Sequence, residues 1–130
     1  MIEITDKALD PRAVYDRLSH EAAGSVVVHI GVVKPVAQGR RTRGIRFAPK
    51  GDLAGELRSM EADLRSKWKL TDALLFRRVG ELAVGDIILI SAVSAPDREA
   101  AFDACREAVE RFKRLECMQK QELYEESETH

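Results

Sequence analysis

The chain has 130 residues, of which 45% are hydrophobic and 33% charged, with a formal net charge of −1. That length suits one domain around one core, and the balance excludes a disordered chain. Its longest apolar runs, such as Ile87 to Ile90, fall far short of the ~20 residues a membrane-spanning helix needs.

No cationic start followed by an apolar stretch marks an export signal, so a cytoplasmic location is expected. The two cysteines, Cys105 and Cys117, form no disulfide framework, and without a CxxC pair or a histidine-rich companion they predict no zinc site.

In chain order, Asp10-Pro11 reads as a helix start, with Asp as N-cap and Pro at the first helical position. Gly24 ends that helix, and the β-branched run over residues 25–33 predicts a buried strand. Residues 35–39 read as a loop and 44–47 as a second, more exposed strand. Asp52 caps a second helix whose apolar positions, Leu53, Leu57, Met60, Leu64 and Trp68, share one face. Residues 73–76 and 86–93 read as strands joined by a longer hairpin loop with Gly80 and Gly85 at its ends. Residues 94–97 carry start signals for a third, longest helix. An extended piece around residues 117–124 follows, then an acidic tail. Mixed helices and antiparallel-looking strands make this an α+β domain.

Charge is unevenly spread. Residues 34–50 hold six cations (Lys34, Arg40, Arg41, Arg43, Arg46 and Lys50) and no acid, whereas residues 122–130 hold four acids and no Lys or Arg. Such an arm suits an anionic ligand or a partner contact. In the third helix, Ala101, Cys105, Ala108, Val109 and Phe112 form one apolar stripe. Arg98 falls on its meridian, where it must snorkel out or meet an anion, and Lys113 sits roughly 80° from its centre.

Several stretches stand in a characteristic order. They are residues 4–11 before the first helix, 24–34 along the first long strand, 79–86 between two strands, and 91–98 at a strand-to-helix junction. Ala101-Phe102, Ala104-Cys105 and Lys113 come next, and Lys120-Gln121-Glu122 closes the series. Over residues 4 to about 123 this pattern resembles the MoaE family, the large, catalytic subunit of molybdopterin synthase.

The resemblance implies a single-domain α/β hammerhead-type fold with mixed and antiparallel strands and three helices, occupying residues 1–124 ahead of a 125–130 tail. It implies a homodimer in which each half binds a small ubiquitin-like, MoaD-like sulfur carrier ending in Gly-Gly, giving a heterotetramer. That carrier's C-terminal thiocarboxylate supplies sulfur to cyclic pyranopterin monophosphate, forming the dithiolene of molybdopterin. No metal or organic cofactor is implied.

Lys113 and Lys120, seven residues apart, match the family's active-site lysines. Fixed cations suit a phosphate-bearing substrate and the oxyanions of acyl transfer, and a lysine in a partly dry pocket can also carry a proton. Lys113 alone would equally read as a surface lysine paired with Glu110. Arg98 matches a substrate-contacting arginine placed across the dimer interface. Lys34, with the backbone of Val32 and Val33, stands where the family has Thr-Val-Arg, keeping the charge but not the bidentate fork. Gln121 and Glu122 match substrate-side residues.

Asp97 replaces the family's histidine, exchanging a donor for an acceptor. His29 replaces a phenylalanine, while residues 47–50 and 116–119 replace a Tyr-Glu-rich and a Pro-aromatic-Trp segment. These departures keep open a divergent member that binds a pterin or small partner without catalysis. Nucleic-acid binding by the basic arm is a third reading, disfavoured because Phe47 is its lone stacking residue.

Overall fold

The structure, a computed structural model, describes residues 1–125. Most of the tail expected at 125–130 therefore lies outside the described residues. The elements are β1 (Ile2–Thr5), α1 (Pro11–Arg17), β2 (Ser25–Val32), β3 (Val36–Ala37), β4 (Arg40–Pro49), α2 (Leu53–Lys67), β5 (Asp72–Arg78), β6 (Gly80–Ala83), β7 (Ile87–Ala95), α3 (Arg98–Phe112) and β8 (Met118–Tyr124). Three helices with mixed and antiparallel strands are the α+β architecture expected.

The first sheet runs β1-β5-β7-β2, with β1 parallel to β5 and the other pairs antiparallel. Successive residues of a strand point to opposite faces, so each face receives its own set. Leu75 and Val93 join Leu57, Met60 and Leu64 of α2 and Ala104, Cys105, Ala108 and Phe112 of α3 on one side. Leu74, Phe76, Ile90 and Ala92 meet Leu9, Val14 and Leu18 on the other, under α1. Leu57 and Leu64 are fully buried, and truncating either to Ala costs about 2–5 kcal/mol at such sites.

Each helix begins on an aspartate whose carboxylate accepts a backbone N–H. Asp10 accepts from Arg12 at 3.0 Å, Asp52 from Gly55 at 2.9 Å and Asp97 from Ala100 at 2.9 Å. The first two caps were legible from the sequence, because aspartate satisfies an orphan donor of the first turn, and the third falls within the 94–97 start signal.

The second sheet centres on β4, which pairs β3 and β6 and, through Thr42–Pro49, β8. Its core of Val33, Ile45, Phe47 and Leu82 packs against Ile88 and Met118. Here the structure corrects four expectations. The supposedly exposed strand at 44–47 is the middle of a ten-residue strand with Ile45 and Phe47 buried. It is covered by β6, which occupies most of what read as a hairpin loop. The loop at 35–39 contains β3 and a two-residue turn in which Gln38 and Gly39 both take positive φ, 53° and 76°, the geometry that matches strand twist in a tight hairpin. Finally, β2 is an edge strand, with Val28, Ile30 and Val32 exposed on alternate positions rather than buried throughout.

Candidate active site

The β4–β8 ladder and the end of β2 enclose a cleft of about 400 Å³. Ile45, Phe47, Val33 and Ile88 give it apolar walls, Val36 to Gln38 of the β3 hairpin form a rim, and Lys34, Lys120 and Glu122 are its charged groups. Antiparallel register explains the selection. Phe47 pairs Lys120 and Ile45 pairs Glu122, so both polar residues rise on the face carrying the two buried apolar ones. Gln121 pairs Arg46 on the reverse face, where its side-chain oxygen accepts from Arg46 at 3.3 Å.

Five of the nine sequence-derived site residues thus meet at one cleft: Val32, Val33, Lys34, Lys120 and Glu122. The backbone of Val33 is already engaged. Its N–H donates to the Asp86 carbonyl at 3.0 Å, and its own carbonyl accepts from Gly85 at 2.9 Å. Lys113 and Arg98 are exposed at opposite ends of α3, and a helix of 15 residues is about 22 Å long. Neither they nor Asp97 line the cleft of their own chain. Asp97 spends its carboxylate on the α3 N-cap. His29 lies partly buried in β2, and Cys105, against α3's sheet face, is a buried thiol that desolvation pushes up to about 11.

The basic arm is partly neutralised where it stands. Arg46 and Arg43 share Glu81 at 2.9 and 3.7 Å, Arg41 reaches Glu125 at 3.5 Å, and Arg40 covers the Tyr124 ring at 3.9 Å. The hydrogen bond from Arg46, aided by the charge of Arg43, holds the Glu81 carboxyl below the usual carboxylate range. Among the described residues Lys34 and Lys50 make no ion pair, and Lys34 is the one at the cleft.

The MoaE protein family model matches residues 4–115. The chain belongs to the MoaE family. The molybdopterin synthase catalytic subunit of Bacillus subtilis is 29% identical to it, over 97% of this chain and 81% of that protein. A crystal structure of molybdopterin synthase from Staphylococcus aureus superposes with a TM-score of 0.87 at 28% identity, covering 96% of this chain and 92% of that one. A complex of subunits 1 and 2 of the molybdopterin-converting factor from Helicobacter pylori shares the fold, with a TM-score of 0.75 at 16% identity over 99% and 92% of the two chains.

Within this MoaE member the fold adds the residues that surround Lys120. Ile45 and Phe47 escaped the sequence reading because the alternation over 44–47 looked solvent-facing. Their signal is tertiary: β6 and β8 flank that strand on both sides. Arg77 also escaped notice. It is 4% exposed, with its guanidinium 4.1 Å from the centroid of the Phe47 ring. No helix among the described residues is long and apolar enough to cross a membrane, and no cluster of His, Cys, Asp or Glu there could hold a metal ion.

Proposed function

We propose that this chain is the catalytic subunit of a cytoplasmic molybdopterin synthase, moving sulfur from the thiocarboxylated Gly-Gly terminus of a small ubiquitin-like carrier to cyclic pyranopterin monophosphate. The observation that carries the reading is the convergence of Lys34, Lys120 and Glu122 on one apolar-walled cleft in a member of the MoaE family. A narrow carrier tail and a flat pterin can share such a cleft. Once the thiocarboxylate sulfur is bonded to a pterin carbon, water attacks the acyl carbon and the acyl C–S bond breaks. Sulfur stays on the pterin, the carrier leaves as its carboxylate, and in that step negative charge develops on the acyl oxygen. A lysine ammonium held at an apolar wall stabilises that charge more than water would. Lys120 takes this role, and Lys34 meets the substrate phosphate as a point charge rather than a fork.

The separation of Arg98 and Lys113 along α3 supports a homodimer, in which a second copy brings its Arg98 to the cleft. With one carrier on each half, the assembly is a heterotetramer. Lys113, which does not line the cleft of its own chain, is the second active-site lysine only on the strength of the family resemblance, and Asp97 contributes by fixing the first turn that carries Arg98. Gln121, on the reverse face, supports β8 through Arg46.

A second reading is a family member that binds the pterin or the carrier without transfer. Its motive is Asp97, whose carboxylate serves the helix cap rather than a substrate. One assay separates the two: the chain is mixed with a thiocarboxylated carrier and the cyclic pyranopterin, and dithiolene formation is followed for the wild type and Lys120→Ala. Turnover in the wild type with a large loss in the variant is expected. Binding without turnover selects the second reading.

A further inference from the structure

Arg77 is a charged side chain inside the molecule without an acidic partner. It leaves β5 beside Arg78 and is 4% exposed. Its Nη1 donates to the Arg78 carbonyl at 2.7 Å and approaches the Ile88 carbonyl at 3.5 Å. Its Nε is buried with no hydrogen-bond partner, and among the described residues no carboxylate pairs with it. Its guanidinium lies 4.1 Å from the centroid of Phe47. Phe47 and Ile88, which its guanidinium meets outside its own strand, are both walls of the cleft, and Phe47 stands opposite Lys120.

A buried cation with no carboxylate is costly, because desolvation is not offset by an ion pair. Desolvation pushes the Arg77 guanidinium down to about 10, which leaves it cationic at neutral pH. Stacking on an aromatic face and donating to carbonyl oxygens recover part of the cost. The charge itself remains unneutralised, and the ring it stacks on is a wall of the cleft.

We propose that Arg77 is a positioning residue of the cleft: a buried cation that holds Phe47 in the wall opposite Lys120 and gives the cleft its preference for anions. Over roughly 8 Å at an effective dielectric of about 30, a single charge changes anion affinity roughly tenfold. The ligand it favours is any phosphate-bearing molecule small enough for the cleft. Its effect on turnover rests on the sulfur-transfer reading above; its effect on anion binding does not.

The test therefore has two readouts. First, inorganic phosphate is titrated into the isotope-labelled chain, and the amide signals of Ile45, Phe47 and Lys120 are followed for the wild type, Arg77→Met and Arg77→Lys. Phosphate should perturb these amides in the wild type, bind roughly tenfold more weakly to the Met variant, and bind within about threefold of wild type to the charge-retaining Lys variant. Second, with carrier and pterin present, the Met variant should raise KM for the pterin roughly tenfold with little change in kcat, the signature of lost uniform binding.

Thermal stability of the Met variant should match or exceed wild type, since an apolar side chain replaces an unpaired buried charge. Should it fail to fold, Arg77→Gln, which keeps a donor for the Arg78 carbonyl, carries the same expectation. The proposal is overturned by equal phosphate binding in wild type and Met variant, by no perturbation of the cleft amides in wild type, or by a Lys variant as weak as the Met variant. Absence of turnover in the wild type with the phosphate pattern intact would sink the sulfur-transfer reading alone.

Discussion

Phe47 of β4 and Lys120 of β8 stand directly opposite each other in an antiparallel ladder. The pairing sets an exposed lysine beside a buried ring, and it puts every second residue of β8 either on the cleft or behind it. Gln121, one position along, faces away and meets Arg46.

This alternation predicts a sharp contrast between neighbours. Lys120→Ala should lower dithiolene formation by about a hundredfold or more, the loss typical of removing one oxyanion-stabilising group, with little change in Tm because the side chain is exposed. Gln121→Ala should stay within about threefold of wild type, as expected for an exposed polar contact on the far face. Steady-state kinetics on the two variants checks this, and equal losses would refute the role of the alternation.

Gly44 is the tightest point of the second sheet. A Cβ there would run into the backbone carbonyl of Leu82 on β6, and backbone cannot step aside as a side-chain end can. Gly44→Ala should destabilise the chain by about 2 kcal/mol or more. A chemical-denaturation midpoint equal to wild type would contradict that.

Asp97 caps α3 through the Ala100 N–H. Asp97→Ala should cost about 1 kcal/mol, a drop of roughly 4 °C in Tm, while Asp97→Asn keeps the acceptor and should cost far less. If the Ala variant also loses activity, the Asn variant should recover it, because the carboxamide can still anchor the turn that carries Arg98. Differential scanning fluorimetry with the turnover assay reads both effects.

Acid should weaken the contact between the chain start, α2 and β5. Burial by itself would raise the carboxyls of Glu61 and Asp72. At Glu61 the N-terminal ammonium and Arg65 outweigh it; at Asp72 the backbone N–H groups of Ser19 and Ala73, with Arg65, do the same. Both carboxyls therefore sit below their ordinary values. A depressed carboxyl contributes stability that is present above its unfolded pKa and is lost as pH falls through the folded one. The urea midpoint should hold from pH 7 to about 5 and fall below about 4, and Asp72→Asn should reduce the acid-induced drop. An unchanged pH dependence in that variant would show that Asp72 is not among the responsible groups.

The parts of this protein that were legible in its sequence are those governed by local chemistry. Asp10, Asp52 and the segment 94–97 announced the helix starts because capping depends on residues within one turn. The apolar spacing of Leu53, Leu57, Met60 and Leu64 announced a buried helix face, and the order of short motifs from residue 4 onward announced the MoaE family. Lys113 and Lys120 came from that order; their immediate neighbours distinguish neither from an ordinary surface lysine.

What the tertiary structure decided was which residues share a space. Strand pairing is a long-range choice, so nothing near Ile45 or Phe47 in the sequence reveals that β6 and β8 will flank them, 33 to 77 residues later along the chain. The same pairing turns Lys120 and Glu122 toward the cleft and Gln121 away, because a strand's side chains alternate and its register fixes the phase. It also explains Arg77. A lone arginine beside another arginine reads as surface charge until β4 brings Phe47 across it and closes it from water. Composition and motif order thus determined the family and the helices, and the sheet register determined the site.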